Sequence, residues 1–222
     1  MQRRYGWLFV GLLLFGGAAP AALAQPASTA QGFTLKQVLA YPFPLGLSAS
    51  RSGDRIAWVI DLNGVRNVWV AQAPEFKPRQ VTNFKADDGQ EITQLTFSPS
   101  GNALVFVRGG DHDANWPVSP PPDPASSPIE PKVMIWTVEL HDGTARALTE
   151  GDAPAISSTG TLAYIKDHQV WTAPLESGSK AKPKRLFFDH GKDGDLQWSP
   201  NGKRLAFVSR RGDHAFIGIF TD

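Results

Sequence analysis

The densest grouping of side chains able to do chemistry is Asp111-His112-Asp113, followed at once by Asn115-Trp116. Two carboxylates, an imidazole, an amide and an indole so close together could line a substrate channel. A carboxylate there could hold the amino terminus of a peptide. The same residues also suit a solvated loop in which Asp and Asn cap turns, and this plainer reading is preferred. A second acidic run, Asp87-Asp88-Gly89-Gln90-Glu91, could attract a cationic peptide end, but reads more simply as an exposed turn between repeats. His141, His168, His190 and His214 stand singly, without the spacing of metal ligands. A hydrolase nucleophile would sit in Gly-x-Ser-x-Gly. The closest run, Gly46-Leu47-Ser48-Ala49-Ser50, fails at its last position. No Cys is present, which removes disulfides, thiol chemistry and Cys-held zinc. No catalytic, cofactor-binding or metal-ligating residue is therefore assigned, and no cofactor is expected.

The elements that carry these residues must be short strands. Hydrophobic residues make up 41% of the 222 and charged residues 19%, enough apolar material for a core. With 21 Gly and 18 Pro, tight turns are favoured over long helices. The net charge is +1, and the one basic run is residues 180–185. Neither a nucleic acid nor an anionic membrane is called for as a partner.

At the amino terminus, Arg3 and Arg4 precede an apolar run from Trp7 to Phe15, and Ala22-Leu23-Ala24 offers a small-x-small cleavage site. Residues 1–24 are expected to be a signal peptide. The chain would then be exported, periplasmic or secreted, with no stable membrane insertion after cleavage. The span is short and broken by Gly16, Gly17 and Pro20, which argues against an uncleaved anchor.

Beyond it, one pattern recurs four times. Leu47-Ser48-Ala49-Ser50-Arg51-Ser52-Gly53 leads into Arg55-Ile56-Ala57-Trp58-Val59. Leu95-Thr96-Phe97-Ser98-Pro99-Ser100-Gly101 leads into Ala103-Leu104-Val105-Phe106-Val107. A weaker copy spans Ala155 to Ile165, and the fourth runs from Leu196-Gln197-Trp198-Ser199-Pro200-Asn201-Gly202 to Val208. Ser, Pro and Gly at the first, second and fourth places suit a type I turn closed by a residue at positive φ. The strands that follow are apolar at successive positions, so both of their faces should be buried. A later strand carries Trp69, Trp136 or Trp171 in register, which points to core packing. A last strand holds Arg79-Gln80-Val81-Thr82, Arg146-Ala147-Leu148-Thr149 or Lys184-Arg185-Leu186-Phe187.

Four strands per unit is the anatomy of a propeller blade. The turn glycines, at 53, 101, 160 and 202, recur at the spacing of propeller repeats. The longest interval holds an insertion from Pro117 to Pro131 with seven prolines, which should lie outside the sheet. The expected fold is all-β: an incomplete β-propeller of about four four-stranded blades, preceded by the signal peptide. Residues 25–46 form a lead-in and 47–222 a partial propeller, with blades near 47–94, 95–153, 154–195 and an incomplete 196–222.

The turn runs from Ser98 to Phe106 and from Ser199 to Phe207 resemble the repeat of TolB-type propellers. The strings between them narrow the likeness: Phe33 to Leu39, Gly64 to Ala71, Asp88 to Glu91, and Val107 to His112 with Asn115-Trp116. Together they resemble the amino-terminal propeller of bacterial serine peptidases of the prolyl oligopeptidase family, on the dipeptidyl-peptidase and acylaminoacyl-peptidase side. That resemblance implies a carboxy-terminal α/β-hydrolase domain, absent from this sequence, that carries a Ser-Asp-His triad. It also implies a propeller that gates short peptide substrates. Its implied partners are a peptide and its own hydrolase domain. The other expectation is a non-enzymatic, TolB-like periplasmic propeller that binds protein partners. A third and weaker one is a propeller enzyme with its site in the central channel.

Overall fold

The computed structural model describes residues 32–110, 131–175 and 182–221. The signal-peptide residues, the cluster Asp111, His112, Asp113, Asn115 and Trp116, and all of the proline-rich insertion but Pro131 lie outside them. Two units separate at Thr34 and Leu35, and the second holds the structure discussed below. A short helix, α1 (Leu35–Leu39), precedes four antiparallel sheets. The first contains β1 (Phe43–Ala49), β2 (Arg55–Leu62), β3 (Val65–Gln72) and β4 (Arg79–Gln80). The second contains β5 (Ile92–Phe97), β6 (Ala103–Arg108), β7 (Met134–Glu139) and β8 (Ala145–Glu150). The third contains β9 (Asp152–Ile156), β10 (Thr161–Lys166), β11 (Gln169–Pro174) and β12 (Lys184–Arg185). The fourth contains β13 (Lys192–Trp198), β14 (Arg204–Arg211) and β15 (His214–Thr221). Each sheet is a meander in chain order, with four strands in the first three and three in the last.

The repeated turn forms between the first two strands of every sheet, and its serine explains why. Ser50, Ser98, Ser157 and Ser199 each receive the amide of the residue opening the next strand at the side-chain oxygen, at 3.0, 3.1, 2.9 and 2.9 Å. The serine backbone amide and carbonyl close the same loop, the carbonyl on the turn glycine. A serine side chain thus satisfies a strand-end donor that the ladder would leave unpaired.

Upstream of the turn, each first strand carries a bulge. The residue four places before the serine, Gly46, Gln94, Ala153 or Asp195, sits at φ 51°, 53°, 50° or 52°. Only Gly46 is a residue type that adopts this conformation without cost.

The core lies between the sheets. Ala103 to Val107 is buried throughout. Leu104 and Phe106 pack toward the first sheet, while Val105 and Val107 pack toward the third, as two-sided burial of β6 requires. Trp136 stacks on Phe106, with centroids 6.4 Å apart, and meets Phe84 edge-on at 5.3 Å. Trp69 pairs with Trp58 and Trp171 with Tyr164. The register tryptophans are therefore packing residues. In the fourth sheet Gly218 holds that place opposite Phe207, and the Phe207 ring fills the space where a Cβ would stand.

First strands contact first strands from sheet to sheet, β1 on β5 and β9 on β13, while β9 also touches β6 and β7. No contact of comparable extent joins the first sheet to the fourth among the described residues. The sheets form an open arc.

Candidate functional site

The four inner strands face a shared cavity of about 440 Å³ at the turn end of the arc. Arg51, Thr96, Pro99, Ser158, Gln197 and Trp198 contribute to its wall, so every sheet is represented. The bulges and serine turns bring these residues together by placing the ends of β1, β5, β9 and β13 side by side. The Trp198 indole N–H donates to the Ala155 carbonyl at 3.1 Å, tying the fourth inner strand to the third. Gln94 Nε2 donates to Asp152 Oδ1 at 3.0 Å, tying the second to the third. Among the described residues, Arg51 is the one charged residue lining the cavity, and it is exposed.

The wall offers hydrogen-bonding groups. Ser98 and Ser157 lie in the wall, but their hydroxyls accept strand-end amides. Among the described residues, no histidine lines the cavity. Ser50, in the run closest to a nucleophile elbow, is a turn residue, and Gly46 is the bulge of β1. Hydroxyls, an amide and a guanidinium can bind the polar backbone and carboxylate of a peptide.

The sequence-predicted acidic run has a structural use. Asp88 pairs with Arg108 at 2.5 Å and accepts the Gln90 amide at 3.1 Å. The Arg108 guanidinium also lies 4.4 Å from the centroid of the Phe84 ring. The run therefore anchors the crossover into the second sheet. Among the described residues, no group of three or more His, Cys, Asp or Glu could hold a metal ion, and no helix is long and apolar enough to cross a membrane.

Two larger cavities lie in the grooves between sheets, and sequence reading missed them. The groove between the first and second sheets, about 650 Å³, is bridged by Arg55. Its guanidinium donates to the Gly101 carbonyl at 2.7 Å and to Asn102 Oδ1 at 3.1 Å. The groove between the second and third sheets, about 930 Å³, has Ala103 in the corresponding place, with Lys182 and Lys184 on its wall. The signal was present in the aligned turns, where Arg55 and Ala103 occupy the same position. Outer-strand arginines form a second recurring tie: Arg79 donates to Leu140 O at 2.8 Å, and Arg146 to Leu175 O at 2.9 Å.

Solved structures with this arrangement share little sequence with the chain. TolB from Acinetobacter baumannii is 18% identical, with a TM-score of 0.54, over 81% of this chain and 41% of that one. The fold is that of a β-propeller. A structure from a study of two prolyl endopeptidases is 11% identical, with a TM-score of 0.58, over 82% of this chain and 28% of that one. The propeller domain of the Trilobed protease from Pyrococcus furiosus, described as having an open velcro topology, is 13% identical, with a TM-score of 0.53, over 82% and 55%. The propeller chain thus spans between 28% and 55% of the length of these proteins. It matches no protein-family model and no curated protein. The neighbours include both peptidase propellers and TolB.

Proposed function

We propose that this chain is the substrate-gating propeller portion of an exported serine peptidase acting on short peptides, with the catalytic α/β-hydrolase domain outside these residues. The observation that carries the reading is the inner-strand cavity. All four sheets contribute to it, it offers peptide-binding groups, and among the described residues it holds no nucleophile and base within reach of one another. The likeness to prolyl endopeptidase and acylaminoacyl peptidase propellers supports a peptide as the ligand. The signal-like amino terminus supports export to the periplasm or beyond. Its partners are then a peptide and its own hydrolase domain, with no nucleic acid and no cofactor.

The second reading, a non-enzymatic TolB-like periplasmic propeller that binds protein partners, is favoured by the TolB likeness. A fluorophosphonate probe, which labels activated serines, separates the two. This chain alone should remain unlabelled. The polypeptide encoded by the whole reading frame should label at a Gly-x-Ser-x-Gly serine and hydrolyse short peptides. If that polypeptide contains no hydrolase domain and instead captures envelope proteins stably, the peptidase reading fails and the TolB-like one stands.

A further inference from the structure

The junction between the third and fourth sheets contains a buried carboxylate with nothing to hold it. Asp193, near the start of β13, is 6% exposed, and neither of its carboxylate oxygens has a hydrogen-bond partner among the described residues. Asp193 pairs with Ser209 across the β13–β14 ladder, and the Ser209 hydroxyl donates to Asp189, on the crossover from β12. Asp189 is fully engaged. It accepts the Ser209 hydroxyl, the Gly191 amide at 3.0 Å and the Arg211 guanidinium, and its own amide donates to Gln169 Oε1 at 3.0 Å.

An ionised carboxylate buried without a partner is costly, and two neighbouring carboxylates resist ionising together. We propose that Asp189 and Asp193 hold one proton between them, and that this shared proton is a pH-sensitive latch on the junction of the third and fourth sheets. The proton resides on Asp193, whose O–H then donates to Asp189.

The groups facing the pair set this order. Ser209 and Arg211, both on β14, stabilise Asp189 as an anion; the Ser209 hydroxyl is the largest contribution, and it holds the Asp189 carboxyl well below the usual range. Burial and then the Asp189 charge push Asp193 up to about 6, against smaller opposing effects of Ser209 and Arg211. From the β10–β11 turn comes His168, whose carbonyl accepts the Asp193 amide at 2.9 Å. Lys192, next to Asp193 on β13, is exposed, and Asp195 is occupied by Arg210 at 2.6 Å. His190, on the crossover, packs edge-on against Phe188 with centroids 5.0 Å apart. Apart from Arg211, whose guanidinium donates to Asp189, none of these offers Asp193 a counter-charge.

Because the folded value lies above the ordinary one, the proton favours the closed junction at low pH. That contribution is lost as pH rises through about 6. Asp189 acts in the opposite sense and only below its ordinary value of 3.8, so it contributes nothing to a change between pH 5 and 7.5. The backbone tie that loosens is the one from Asp193 to His168, which joins the fourth inner strand to the third sheet.

Amide hydrogen exchange, corrected for intrinsic rates and read on residues 189–198 of the full chain, tests the latch. Protection in the native chain should be about tenfold greater at pH 5 than at pH 7.5, the ratio that a midpoint near 6 gives. Asp193→Asn, which is neutral and can still donate to Asp189, should abolish the difference and hold the protected level at both values. Equal protection of the native chain at the two pH values, or a difference that survives in Asp193→Asn, would overturn the proposal. Should that variant not fold, the Asp193 carboxyl carbon followed by NMR in the native chain decides. A midpoint near 6 supports the latch, and one near the ordinary carboxylate value of about 4 refutes it.

Discussion

Ser98 shows how much of this fold rests on single side chains. It is buried, and its hydroxyl is the partner of the Ala103 amide. Ser98→Ala should leave that amide unsatisfied and cost about 1–2 kcal/mol, read as a lower midpoint in urea with an unchanged slope, while Ser98→Thr should recover most of the loss. The bulge residues make a paired prediction. Gly46 and Ala153 occupy the same backbone position at φ 51° and 50°. The space around Gly46 is open, so Gly46→Ala meets strain alone and should cost about 1 kcal/mol. Ala153→Gly should relieve the same strain and raise the thermal midpoint. A loss of stability in Ala153→Gly would show that the bulge is not strained.

Among the elements, β6 is the one the others depend on. Its Phe106 is fully buried between Trp136 and Phe84, and Phe106→Ala should cost about 3–5 kcal/mol, measured by chemical denaturation. Arg79→Ala should cost less, about 1 kcal/mol, because it removes one tie between sheets, at Leu140 O. The strands of this fold were legible in the sequence wherever the cause was local. Turn chemistry announced the first hairpin of each sheet, and unbroken apolar runs announced that β6 is buried on both faces. The aligned tryptophans announced the packing of β3, β7 and β11. What was illegible had non-local causes. Gln94, Ala153 and Asp195 share no residue type that foretells a positive φ; strand register imposes it on them. Asp189 and Asp193 meet only because the crossover from β12 folds against β14. The cluster at Asp111 to Trp116, which looked richest in chemistry, lies outside the described residues, and the cavity is built instead from turn ends that look like mere connectors.

At the scale of the whole molecule, the arc exposes apolar side chains at both ends. Phe43 and Leu47 do so on β1, and Ile217 and Ile219 on β15, where Ile217 is 80% exposed. β15 also offers an edge with no fourth strand beside it among the described residues, the kind of edge that templates association. The isolated chain should therefore self-associate with rising concentration, and Ile217→Lys with Ile219→Lys should reduce this in light scattering. A wild-type chain that remains a monodisperse monomer would contradict the expectation. The arginine bridge across the first groove adds a direction to these ends. Arg204 opens β14 as Arg55 opens β2, and Asp54 stands in the first turn where Asn102 stands in the second. One rim of the arc thus ends in a cation, Arg204, at the position from which Arg55 donates across the first groove, and the other begins with an anion, Asp54, at the position where Asn102 accepts. Like a chain of hooks and eyes, the structure has a sense: a repeat fits it in one orientation, with its own turn presented to Arg204 or its own arginine presented to Asp54.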